Sequence, residues 1–116
     1  MRAICLGFPE VTERPSHGAR GYFVRKQFAA LWPSGHHERT FPHLWCAAEA
    51  GAQEALVATS ARYFRPPYVG HRGWVGVHLD GDVPWDEVAE LLEDAYRLIA
   101  PPRLSRELDN ESSSPN

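Results

Sequence analysis

Cysteine is scarce in this chain. Cys5 and Cys46 are the only two among 116 residues, too few for a disulfide framework, and Cys46, inside the apolar run Leu44-Trp45-Cys46-Ala47-Ala48, reads as a small buried hydrophobe. Apolar runs long enough to span a bilayer are missing as well. The opening Met1-Arg2-Ala3-Ile4-Cys5-Leu6 turns polar too soon for a secretory signal, so the expected location is the cytoplasm, away from membranes. Nor is positive charge in excess: 12 Lys and Arg stand against 15 Asp and Glu, a net charge of −3, short of the basic character of a strong nucleic-acid binder.

The motifs of catalysis are absent too. Ser16, Ser34 and Ser60 lie in no nucleophile elbow, and no glycine-rich phosphate loop opens a helix. Apolar neighbours would hold the Cys46 thiol protonated and inert. Six histidines raise the question of a metal, with His36-His37, His43 and Cys46 the nearest grouping. Adjacent histidines project apart on a strand, however, and no Cys-x-x-Cys or His-Glu-x-x-His pattern supplies a tetrahedral set. Of the acidic set Asp80, Asp82, Asp86 and Glu87, the last two suit the first turn of a helix. The expectation is a protein that is not an enzyme and holds neither metal nor cofactor.

What is present is enough for one core. With 43% hydrophobic residues, a single compact domain over residues 1–103 is expected, followed by a tail, 104–116, whose Glu, Asp, Ser and Asn predict disorder. Ile4, Leu6 and Phe8 suggest a clipped first helix, and the polar stretch Glu10 to Gly18 a loop. Gly21 to Arg25 and Phe28 to Trp32 read as a hairpin turning at Lys26-Gln27, and His43 to Ala48 as a third strand. Residues 50–61 favour helix. Tyr63 to Val69 and Trp74 to Leu79 read as an irregular hairpin, and the spacing of Val88, Leu91, Leu92, Ala95, Tyr96 and Ile99 behind Pro84 predicts a helix that Pro101 and Pro102 stop. Helices falling between groups of strands imply an α+β two-layer fold: a largely antiparallel sheet of about five strands, covered on one face by two to three helices. The other face, carrying Trp74, His78 and Arg25 or its strand neighbours, must meet solvent, a second subunit or a ligand.

The most informative segment is Pro66-Pro67-Tyr68-Val69-Gly70-His71-Arg72-Gly73-Trp74. Two prolines fix the backbone, two glycines allow a tight reversal, and His71 and Arg72 are carried outward on a stiff mount. Gly70-His71-Arg72-Gly73 also satisfies the G-x-x-G pattern of KH domains, but the flanking elements here are strands rather than helices. Charge is distributed unevenly: residues 1–79 hold nine basic and five acidic side chains, residues 80–116 three and ten. A basic body beside an acidic end could draw an anionic partner to one side.

The order of these motifs resembles the MmcQ/YjbR family of small bacterial proteins. Phe8-Pro9-Glu10-Val11-Thr12-Glu13 is similar to that family's Leu-Pro-Gly-Val-Thr-Glu opening, with Glu10 in place of the turn glycine. Phe23-Val24-Arg25-Lys26-Gln27-Phe28-Ala29 resembles its strand-turn-strand segment, and Pro67 to Val75 followed by Val83-Pro84-Trp85-Asp86-Glu87 its Pro-Tyr-Leu-Gly-Lys-Arg-Gly-Trp-Val loop and final helix. The resemblance implies a YjbR-like fold, related in shape to secretion chaperones, and DNA binding through paired wing-like hairpins. It brings no catalytic residues. The candidate site is therefore Arg25, Lys26, His71 and Arg72 for phosphates, with Tyr68 and Trp74 for base stacking. DNA binding would be weak and salt-sensitive. The alternative expectation is a protein-interaction or small-ligand domain that uses the open sheet face, including as a homodimer.

Overall fold

The computed structural model describes residues 1–35 and 40–113; His36 and His37 lie outside the described residues. A short helix α1 (Arg2–Leu6) leads into strands β1 (Thr12–Ser16), β2 (Ala19–Val24), β3 (Lys26–Trp32) and β4 (His43–Cys46). Helix α2 (Ala52–Thr59) is followed by β5 (Tyr63–Phe64), a 3-10 turn at Gly70–Arg72, β6 (Val75–His78), α3 (Trp85–Ile99) and α4 (Pro102–Ser113). The strands form one antiparallel sheet in the order β1-β2-β3-β4-β6-β5. The α+β expectation holds, with six strands among the described residues in place of about five.

Cross-strand partners share a face of a sheet, so the register sorts the side chains. Tyr63, Val77, Leu44 and Leu31 fall in one row, and Val75, Cys46, Ala29 and Tyr22 in the next. This face takes helix α3. The Tyr63 hydroxyl donates to Glu87 on α3 at 3.1 Å, and Val88, Leu92, Ala95 and Tyr96 are the buried residues of α3. Phe28 joins them through a β-bulge opposite Tyr22/Phe23, its ring 5.8 Å from that of Tyr96 and edge-on to it.

Three elements depart from the sequence expectation. The polar stretch expected as a loop contains β1, an edge strand whose residues are mostly exposed, so no apolar row betrays it. The second hairpin turns at Arg25, not Lys26-Gln27: Val24 pairs with Lys26, and Arg25 takes φ +64° at the tip. Most of the tail expected to be disordered forms α4. Pro102, read as a stop, occupies the first position of this helix, where its missing N–H costs nothing. Leu104 and Leu108, one turn apart, are buried, and Arg97 on α3 donates to Asp109 at 2.8 Å.

The sheet edges are finished in different ways. β1 reads Thr-Glu-Arg-Pro-Ser, with a proline that offers no donor, and β5 is two residues long.

Candidate functional site

The second sheet face is aromatic. Trp32, His43 and His78 form one row across it, and Ala30, Trp45, Gly76 and Phe64 the next. The rings pack on one another: Trp32 and Trp45 have centroids 4.9 Å apart at 52°, and Phe64 and His78 4.7 Å apart. Gly76 is glycine because the Phe64 ring lies on it; a Cβ there would come within 2.3 Å of that ring.

Above this face opens a pocket of about 610 Å³. Its base is Ala30, Trp32 and Trp45, all buried. One side is the first hairpin turn, with Ser16 and His17, and Lys26 and Gln27 from β3; the other is the loop carrying Tyr68, Val69, Arg72 and Trp74. His17-Gly18 is a two-residue turn with φ +50° and +92°, the pattern of a type I′ reversal. Gln27 is pinned, its amide donating to the Ala29 carbonyl at 3.1 Å and its oxygen accepting from Ser16 at 3.2 Å.

The far side is held by α2. The buried Gln53 side chain donates to the Gly70 carbonyl at 2.8 Å and to the Trp74 carbonyl at 2.5 Å, fixing both ends of the 3-10 turn that carries Arg72. Gly73 takes φ +85° and so makes the sharp return into β6. Gly70, expected to serve the reversal in the same way, instead accommodates the Arg65 side chain, 2.7 Å from where a Cβ would stand. Ring and cation meet here, with the Arg72 guanidinium carbon 5.4 Å from the Trp74 ring centroid.

The six candidate residues thus separate. Lys26, Tyr68, Arg72 and Trp74 converge on the pocket, while Arg25 and His71 are exposed outside its lining. Trp74 is only 5% exposed and faces the pocket; Tyr68 is 71% exposed and takes φ +64°, a conformation costly for an aromatic residue. Trp32, Trp45, His17 and Gln53 belong to the site although their residue types alone did not mark them. The two tryptophans were legible as strand residues, but only the register puts them side by side under one loop.

Electrostatics sets the pocket apart from the rest of the molecule. None of the described Asp or Glu side chains lines it, whereas Lys26, Arg72 and His17 do. Elsewhere acids and bases pair, as in Arg2 with Glu13 at 3.1 Å and Arg103 with Glu10 at 2.9 Å. The cysteines are free and buried, and burial pushes both thiols up to about 12, which removes them as nucleophiles near neutral pH. Among the described residues no group of His, Cys, Asp and Glu is placed to hold a metal ion. No described helix is long and apolar enough to cross a membrane.

Comparison with known proteins gives a family and a fold. The YjbR family model matches residues 6–98. No curated protein sequence matches. Among solved structures, the crystal structure of the Deinococcus radiodurans protein DR2400, with a DUF419 domain, superposes with a TM-score of 0.68 at 21% identity, over 93% of this chain and 84% of that one.

Proposed function

The chain belongs to the YjbR family, and on that premise we propose that it is a non-enzymatic binding module whose recognition site is the pocket on the aromatic sheet face, opposite the face that packs on α3, taking an anionic small ligand. One observation carries this reading: in a chain of net charge −3, the described lining of an aromatic pocket has cationic side chains and no carboxylate. The pocket volume falls within the range of about 300–1,000 Å³ usual for small-molecule sites, and a largely apolar lining with a few convergent polar groups is their common make-up. A ligand that binds only the folded state raises its melting temperature by mass action. Small oxyanions should therefore raise Tm with concentration, and a Lys26→Ala/Arg72→Ala double variant should lose the shift. Equal shifts in both proteins would refute the assignment.

DNA is the second reading, and the observation that favours it is the exposed Tyr68 ring beside Arg72. In this version Arg25, Lys26, His71 and Arg72 meet phosphates and Tyr68 stacks a base, Trp74 being turned into the pocket. Anisotropy of labelled single- and double-stranded DNA at about 50 and 200 mM salt tests it, because phosphate contacts weaken steeply across that range. If Arg25→Ala/Arg72→Ala leaves affinity and salt slope unaltered, these loops do not bind DNA. The open face could also seat a protein partner or a second copy, for which concentration-dependent sedimentation is the direct measurement.

A further inference from the structure

The pocket's lining divides by polarity with depth, and the division specifies more than charge. Ala30, Trp32, Trp45 and Trp74 are buried, while Lys26 and Arg72 are exposed at the mouth. A ligand that satisfies both layers must be apolar and flat at one end and anionic at the other. We infer that the ligand class is a single planar ring system bearing one phosphate, sulfonate or carboxylate group, the ring seated among the tryptophans and the oxyanion held by Arg72 and Lys26; this deepens, and rests on, the anion-binding reading above.

Three features support the ring. Trp32 and Trp45, inclined at 52° to each other, give the pocket an aromatic base. Trp74 forms the side wall, and the Arg72 guanidinium carbon lies 5.4 Å from its centroid. A guanidinium placed over a ring is oriented before any ligand arrives, and its planar fork matches two oxygens of an oxyanion. Finally, Tyr68 stands at the mouth on a backbone of φ +64° behind Pro66-Pro67. Strain of this kind persists where surrounding structure enforces it and is concentrated at ligand clamps. Among the described lining residues, Tyr68 is the largely exposed Tyr or Trp, and it is placed to cover the ring of a ligand from outside.

Calorimetric titration of the full chain with 1-naphthyl phosphate, 1-naphthalenemethanol and inorganic phosphate tests the assignment. The naphthyl phosphate should bind at one site, at least about ten-fold more tightly than either fragment, the factor one stacked ring is worth. Arg72→Ala should weaken it about ten-fold, Arg72→Lys less so because charge is kept and the fork lost, and Tyr68→Ala by a measurable factor. Arg106→Ala, exposed on α4 and outside the pocket lining, should change nothing. Inorganic phosphate binding as tightly as naphthyl phosphate, with the same dependence on Arg72, overturns the ring requirement and leaves the anion site standing. The neutral alcohol binding as tightly overturns the charge requirement. If none of the three binds, this inference and the reading beneath it both fall.

Discussion

A methyl group at position 76 would lie 2.3 Å from the Phe64 ring, and that ring also packs on His43 and His78. Gly76→Ala should therefore cost about 1–3 kcal/mol by overpacking, and much less in a Phe64→Ala background; chemical denaturation of the four proteins of that cycle measures the coupling. Gly73 is a different case. It has φ +85° and open space where a Cβ would stand, with only the Ala48 carbonyl at 3.9 Å, so Gly73→Ala should cost about 1–2 kcal/mol from backbone conformation alone. Glu10 shows the reverse situation, a side chain where the resembling family opening has glycine, held at φ +60°. Replacing it by Gly should leave Tm unchanged or higher, whereas Glu10→Val, branched at Cβ, should lower it. Its ion pair with Arg103 is exposed on both sides and would not mask the difference.

At the scale of elements, the first hairpin and α1 are tied by one carboxylate. The Tyr22 hydroxyl donates to Glu13 at 2.8 Å, and Arg2 approaches the same group at 3.1 Å. The Tyr22 hydrogen bond above all, with Arg2, holds the Glu13 carboxyl below its ordinary value of 4.5. A depressed carboxylate contributes stability that is present above the ordinary value and lost as pH falls through the lowered one. Tm should accordingly drop more steeply below about pH 4.5 in the parent than in Glu13→Gln. For α4, Leu104→Ala should cost about 2–4 kcal/mol, as for a buried leucine, which a disordered tail would not show. The same elements explain what could be read from the sequence. Helix α3 and the strands β2, β3, β4 and β6 carry apolar rows long enough to be seen. β1 carries none, because an edge strand here is wet on both sides, and α4 offers only two leucines behind a proline that equally well ends one helix and begins the next. For the site, the loop chemistry of residues 66–74 was legible, as was the outward turn of Arg72. The floor was not, since placing Trp32 beside Trp45 needs the pairing of Leu31 with Leu44, a fact of register and not of composition.

Across the whole molecule, both thiols sit in the packed layer between sheet and helices, fully buried and pushed up to about 12 by that burial. At pH 8 the native protein should resist iodoacetamide at Cys5 and Cys46, and both should alkylate in concentrated urea. The labelling rate in water then reports the population of open molecules, and fast labelling of the native protein would contradict the fold described. One border strand carries a proline and a charged pair, and the other is too short to template a neighbour. Among the described strands, neither border gives growth of the sheet from chain to chain a ready starting line. Fibrils, if they ever form, must begin from opened molecules, so shelf life at high concentration should follow the unfolding rate and hardly depend on how often native molecules collide.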